Sequence, residues 1–332
     1  MKRLALSLAL SLVITASVAS AQSQPTVVIG YENLGATPEM VVLTKGWFQN
    51  DMHAHVVLKE FASGPAALTA IASGALQFMT EIGNPPVAAA ISRGVPLDVI
   101  WNDETFTDGE GLVARNGAGI SSLADLPGKR VAVVSGSSSD YVLTKALAKA
   151  GVDRSKIKLI NISPPAMLSA WQNKSIDAAF VWTPVINNLA AHGGKIVFTD
   201  GKAVAYAPSV NLSVVNSTWA KAHPDLVVAF LRAQEQGVDY TRTHTADALK
   251  TMASGSGISV ALARVELAGI EYFDAKQQLT PQGIGAPGKA AGSAVGIGLD
   301  SALSFLQDAG LASGSGAAPP SSRIVTGYAQ KV

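Results

Sequence analysis

No cysteine occurs in the 332 residues. That one absence excludes disulfides, thiolate metal sites, cysteine nucleophiles and an acylated-cysteine anchor. An excess of either charge is lacking too: 25 basic residues face 24 acidic ones, with no basic run. Nucleic acid, which normally demands a basic face, is therefore not an expected partner. The familiar chemical motifs are missing as well. The first strand's turn reads GYENLGAT instead of G-x-G-x-x-G, and there is no G-x-x-x-x-G-K-[ST], H-E-x-x-H or G-x-S-x-G. His53 and His55 form the one close histidine pair, and two ligands do not close a zinc site, so a solvated edge is expected there. No cofactor, metal or catalytic residue is expected. What the chain does have is apolar content, 48% hydrophobic against 15% charged, enough for a packed core without disulfides.

The start, MKRLALSLALSLVITASVASAQS, carries Lys2 and Arg3, an apolar run over 4–18 and an Ala19-Ser20-Ala21 ending. That sequence of charge, apolar run and small residues reads as a leader cleaved after Ala21, in preference to a membrane anchor. Without Lys2 and Arg3, 23 basic residues face 24 acidic ones, a net charge of −1. A soluble protein exported to a periplasm is expected.

Beyond the leader, β-branched runs alternate with Ala/Leu-rich stretches. The pattern predicts strands over 27–30, 55–61, 97–101, 111–115, 130–134, 156–160, 176–181, 196–198 and 210–215. It predicts helices over 38–47, 64–72, 86–93, 140–150, 166–173, 184–191, 223–244 and 259–271. Such alternation gives α/β layers with mostly parallel sheets, and this many strands fit two sheets better than one. Residues 66–91 and 166–190 echo each other, each being a helix, a polar break, a short strand and a turn whose proline opens the next helix. The glycine-rich stretch 314–320 reads as a surface loop, and 283–298 carries no clear pattern.

The chemistry on offer lies at strand-to-helix turns. Ser135-Gly136-Ser137-Ser138-Ser139 precedes the helix near Asp140, where unpaired N–H groups can hold an anion. Simple N-capping by a serine would account for part of this, but three serines exceed what one cap needs. Gly83-Asn84-Pro85-Pro86 makes the corresponding turn in the first half. Tyr31, Tyr141, Trp182 and Tyr206 all lie at strand ends; core packing explains any one of them, and four suggest the wall of a cleft.

The strings FASGPAALTAIASGALQ, IGNPPVAAAISRGVPLDVIW, LADLPGKRVAVVSGSSSDYVL, ISPPAMLSAWQNKSIDAAFVWTPVINNL and WAKAHPDLVVAFLRA carry a resemblance. From residue 61 to 230 the chain resembles the taurine- and alkanesulfonate-binding proteins of bacterial ABC importers, relatives of the nitrate-binding proteins. The resemblance implies a two-lobe periplasmic binding protein fold (type II) with the ligand in the interlobe cleft. Lobe 1 would comprise 22–113 and 212–332, and lobe 2 would comprise 114–211. It implies capture of a small organic anion or zwitterion and delivery to an inner-membrane permease with its ATPase, by a monomer. The alternatives are a nitrate-like anion, a neutral heterocycle, or a thiamine-pyrimidine-synthesis enzyme on the same fold, which the export signal and missing cysteine oppose. Carried over by position, the head group would meet Gly83, Asn84, Ser137 and Ser138. Tyr31, Glu32, Glu110, Tyr141, Trp182 and Asn211 would complete the site. The taurine binders carry a carboxylate where this chain has Asn211, so Asn211 is expected to tune the ligand tail, with Glu32 and Glu110 left to meet an ammonium.

Overall fold

The computed structural model describes residues 24–312 and 318–332. The expected leader and part of the 314–320 loop lie outside the described residues. The first half runs β1 (Thr26–Glu32), α1 (Pro38–Lys45), α2 (Trp47–Met52), β2 (His55–Phe61), α3 (Gly64–Ala72), β3 (Phe78–Gly83), α4 (Asn84–Ser92) and β4 (Leu97–Phe106). After 107–109 come β5 (Glu110–Arg115), β6 (Arg130–Val133), α5 (Ser138–Lys149), β7 (Lys158–Asn161), α6 (Pro164–Gln172), β8 (Ala178–Trp182), α7 (Val185–Ala191) and β9 (Gly194–Thr199). Residues 200–209 return the chain to β10 (Val210–Asn216), α8 (Ser217–Ala222), α9 (Pro224–Thr243), α10 (Thr245–Ser256) and α11 (Val260–Leu267). It ends with β11 (Ile270–Tyr272), α12 (Ala275–Gln278) and α13 (Ala294–Asp308).

Two sheets result, in the orders β11-β4-β10-β3-β1-β2 and β7-β6-β8-β5-β9. In the first, β1 runs parallel to β2 and β3, while β10 lies antiparallel between β3 and β4. In the second, β6 runs parallel to β7 and β8, while β5 lies antiparallel between β8 and β9. Each sheet is therefore completed by a strand that enters from the other half. The sequence echo is this repeat: α3-β3-α4 and α6-β8-α7 hold equivalent places. Prolines open α3, α4, α6 and α9, where a missing N–H costs nothing.

Several boundaries differ from expectation. The lobe boundary expected after residue 113 falls inside β5, all of which pairs within the second sheet. The one expected after residue 211 falls inside β10, all of which pairs within the first. An apolar strand gains from partners along its whole length, so the chain crosses in the connectors between strands, at 107–109 and 200–209. The expected helix 38–47 stops at Gly46, whose left-handed backbone ends α1. The expected helix 259–271 stops at Leu267, and Ile270–Tyr272 pairs with the edge of β4 as β11. The crossings are tied together: the N–H groups of Thr107, Asp108 and Gly109 all donate to the Gly269 carbonyl, and Gly201 N–H donates to Thr107 O.

Candidate functional site

The carboxyl ends of β1 and β3 face those of β6 and β8, the usual place for a ligand in open α/β sheets. Glu32, Leu34, Gly83 and Asn211 from one lobe meet Ser137, Ser138 and Trp182 from the other. The inner cleft between them holds about 10 Å³ for water centres, roughly one molecule. Glu32 and Trp182 also line a vestibule outside it, of about 410 Å³ on the same measure. Gly83 faces Ser138 across the cleft: a Cβ there would stand in van der Waals contact with Ser138 Cβ, at 3.4 Å.

Two helix N-termini converge on this point. Ser137 caps α5, its Oγ accepting from Asp140 N–H (3.4 Å) and donating to Val134 O (2.7 Å). The N–H groups of Ser138 and Ser139 then stand ahead of any intrahelical acceptor. Across the cleft α4 opens at Asn84, followed by two prolines that have no N–H to offer. Backbone donors at helix ends are a ready seat for an anion.

Around this seat lie carboxyls. Glu32 is 5% exposed. Burial, then the Glu110 and Glu104 carboxyls, raise its pKa well above the ordinary value. Glu110 accepts from the hydroxyls of Ser138, Ser139 and Ser209. Glu104 accepts from Asn211 Nδ2. Behind Asn211, Asp103 accepts from Thr80, Ser213, Gln234 and the Glu81 N–H. Burial, then Glu104, pushes the Asp103 pKa to about 8. Glu39 and Glu81 are buried close by with both oxygens unpartnered. Burial raises both pKa values, with Asp103 adding to the effect at Glu39 and Glu104 at Glu81. Among the described residues no lysine, arginine or histidine lines the inner cleft or the vestibule, and no three acids or histidines have the geometry to hold a metal.

Six of the ten residues expected at the site line the inner cleft: Glu32, Gly83, Ser137, Ser138, Trp182 and Asn211. The serine hydroxyls are engaged elsewhere, so the donors left to an anion are backbone N–H groups. The other four side chains stand apart. Tyr31 neighbours Glu32 on a strand, so the two face opposite ways; its hydroxyl donates to Glu60. Asn84 turns its amide to the carbonyls of Pro208 and Gly298. Glu110 lies behind the serine turn. Tyr141 is core, edge-on to Phe305, with its hydroxyl on Ser301. Sequence reasoning missed the buried acids Glu39, Glu81, Asp103 and Glu104. The signal was there, in acids set within the apolar strings FMTEIG and DVIWNDETF.

The lobes are tied across the cleft. Thr183 Oγ1 donates to Leu34 O (2.7 Å), Asn187 Nδ2 to Glu266 Oε1 (3.2 Å) and Tyr141 OH to Ser301 Oγ (3.0 Å). Glu266 also accepts from Ala36 N–H, and burial pushes its pKa to about 7.

Residues 33–248, well over half of the chain, match the model of the family described as NMT1/THI5 like. The chain belongs to the NMT1/THI5-like family. Within the curated relatives of this NMT1/THI5-like chain, the taurine-binding periplasmic protein of Escherichia coli (strain K12) is 34% identical over 209 residues, 62% of this chain and 63% of that protein. A putative aliphatic sulfonates-binding protein of Bacillus subtilis (strain 168) is 30% identical over 216 residues, 64% of each. The matched stretch thus spans less than two thirds of either relative's length. In three dimensions the chain is similar to the alkanesulfonate-binding protein SsuA from Xanthomonas axonopodis pv. citri bound to MOPS. The TM-score is 0.70 at 20% identity, covering 93% of this chain and 99% of that one. The two-lobe α/β architecture of this NMT1/THI5-like chain is that of the periplasmic binding proteins.

Proposed function

We propose that the protein is the periplasmic solute receptor of an ABC importer, capturing a small zwitterionic organic acid of the aminosulfonate type and passing it to a membrane permease. The observation that carries this reading is the N-terminus of α5 set against buried carboxyls in a cleft that no basic side chain lines. An anionic head finds the backbone N–H groups of Ser138 and Ser139 at the start of α5. A cationic nitrogen on the same molecule finds Glu32, whose pKa burial raises because no counter-charge faces it, and a cation there favours its ionised form. A bare inorganic anion would bring no cation to Glu32 and Glu104, whose pKa values burial raises. A neutral heterocycle would leave Glu32 unmatched. The taurine- and sulfonate-binding names of the relatives support the same class. A binding role without catalysis fits the cleft serines, whose hydroxyls are committed to Glu110 and Val134 O.

Calorimetry with taurine, ethanesulfonate and nitrate tests the reading. Taurine should bind at least about tenfold more tightly than ethanesulfonate, a difference of about 1.4 kcal/mol, and Glu32→Gln should erase that gap. Equal binding of ethanesulfonate or nitrate would overturn the zwitterion. Failure of all three to bind would overturn the aminosulfonate receptor.

A further inference from the structure

Asn211 is held from behind. Its Nδ2 donates to Glu104 Oε1, and its Oδ1 stands toward Gly83 at the cleft. The two ends of an amide are close in size, so bonding decides which of them a ligand meets. An ionised carboxylate only accepts, so Glu104 takes the NH2 end and leaves the carbonyl to the cleft. A protonated Glu104 would carry a donor of its own, and the amide could then turn its NH2 group outward.

The surroundings keep Glu104 in the accepting form. Its second oxygen and both oxygens of Glu81 receive no N–H or hydroxyl. The two carboxyls bond to each other instead, which takes one proton between them. Burial, then the carboxyls of Glu104 and Asp103, raise the Glu81 pKa well above the ordinary value. Burial raises the Glu104 pKa too, but the bonds from Glu81 and Asn211 oppose it. The proton therefore stays on Glu81. The other ionisable groups facing the pair are Glu39 of α1, Asp103 of β4 and Glu32 of β1. The backbone is strained at the same point. Glu81 lies inside β3 with a φ of 57°, a left-handed conformation that is costly for a residue with a side chain. Its N–H leaves the ladder for the Asp103 carboxyl (2.9 Å). Beside it the register of β10 shifts at Leu212–Val214 against β3 and at Asn211–Leu212 against β4.

We infer that Glu104 is a positioning residue for solute recognition: it turns the Asn211 carbonyl to the cleft, so that the site selects a solute tail that donates a hydrogen bond there. An ammonium is one such tail and a hydroxyl another, and this rests on the receptor reading above.

Two sulfonates with uncharged tails separate this contact from the charge of Glu32. Isethionate has a hydroxyl that donates or accepts; 2-methoxyethanesulfonate has an ether oxygen that only accepts. Calorimetry at pH 8 should show isethionate bound at least about tenfold more tightly. Glu104→Leu removes the acceptor behind Asn211 and should cut that ratio by roughly fivefold or more. Glu104→Gln still offers Nδ2 a carbonyl and should hold the ratio within about twofold. Any steric handicap of the methyl group is common to all three proteins and cancels in this comparison. Equal binding of the two probes, or a ratio that Glu104→Leu leaves unchanged, would overturn the inference and leave the receptor reading standing. Equal loss of the ratio in both variants would trace it to charge, and would overturn the inference as well. If Glu104→Leu does not fold, pH supplies the same test without it. At pH 4.5, the ordinary value for a glutamate, Glu104 with its raised pKa is mostly a donor. The ratio should then fall by about fivefold in the unaltered protein and hold in Glu104→Gln; a ratio indifferent to pH in the unaltered protein would overturn the inference. If neither sulfonate binds at pH 8, the receptor reading falls and takes this one with it.

Discussion

At Asn211 the chain departs from the taurine binders it resembles, and the structure changes what that departure means. Its Nδ2 donates to the buried Glu104 carboxyl, while its Oδ1 lies toward Gly83 at the cleft. Sequence reasoning alone expects Asn211→Asp to gain an ammonium. With Glu104 in contact, the substitution instead sets two carboxyls together in a buried place, and one must hold a proton. The folded-state pKa of that pair rises above its unfolded value. Such a group costs little below the unfolded pKa and destabilises increasingly as pH rises toward the folded one. Asn211→Asp should therefore destabilise the fold by about 1–3 kcal/mol, lowering the melting temperature more at pH 8 than at pH 5, with no gain for taurine. Melting curves at the two values check this; a pH-independent effect would remove Glu104 from the account. The expected residues that line the inner cleft share one property. Glu32, Gly83, Ser137, Ser138, Trp182 and Asn211 lie at strand ends or turns, where local chemistry announces itself. Tyr31 and Tyr141 do not line the inner cleft because the face a side chain takes depends on strand and helix phase, which no motif fixes. Glu81 and Asp103 drew no reading from sequence, since their burial follows from strands that arrive far away in the chain.

At the level of elements, helices opened by proline and strands rich in β-branched residues were legible, including the repeat of α3-β3-α4 in α6-β8-α7. The elements that escaped were those whose existence depends on a partner. β11 is three residues long and exists because β4 offers an edge. α13 lies partly in a glycine-rich stretch with no clear period, and it packs Phe305 against Tyr141 of α5. The contact between α7 and α11 is likewise invisible in sequence. Asn187 reaches Glu266 across the cleft without lining the inner space, so it bears on closure while leaving recognition alone. Asn187→Ala removes one hydrogen bond to a carboxyl, worth about 0.5–1.5 kcal/mol for a neutral bond and up to about 3 for a charged one. Solute release should quicken by roughly two- to tenfold, with the order of preference among solutes unchanged. Stopped-flow dissociation measures the first and competition the second; a changed preference would place Asn187 in the recognition site. Between β3, β4 and β10, the carboxyl of Asp103 has its pKa raised by burial from 3.8 to about 8. It should make the protein lose stability as pH climbs from about 4 to about 8, and Asp103→Asn should flatten that slope.

Across the whole molecule, the two lobes are joined by two crossings, at residues 107–109 and 200–209. The crossings are bonded to each other through Gly201 and Thr107, and the first is held to Gly269. The same double passage has a consequence for how the chain acquires its shape. Strands β5 to β9 are contiguous, so the second sheet can assemble as soon as its own residues are available. The first sheet cannot. Its β10 lies between β3 and β4, and that strand follows the entire second half in the sequence. Until it arrives, two fully buried strands, FMTEIG and LDVIWNDETF, have unpaired edges facing one another. Long-range closure of this kind is slow, and exposed apolar edges invite aggregation meanwhile. Pulsed hydrogen exchange during refolding should protect the amides of β6 and β8 before those of β3 and β4. Simultaneous protection of both sets would mean that the lobes form as one unit. A chain emerging N-terminus first would thus hold its earliest-made sheet unfinished the longest, and its final lobe to mature would be the one that begins and ends the sequence.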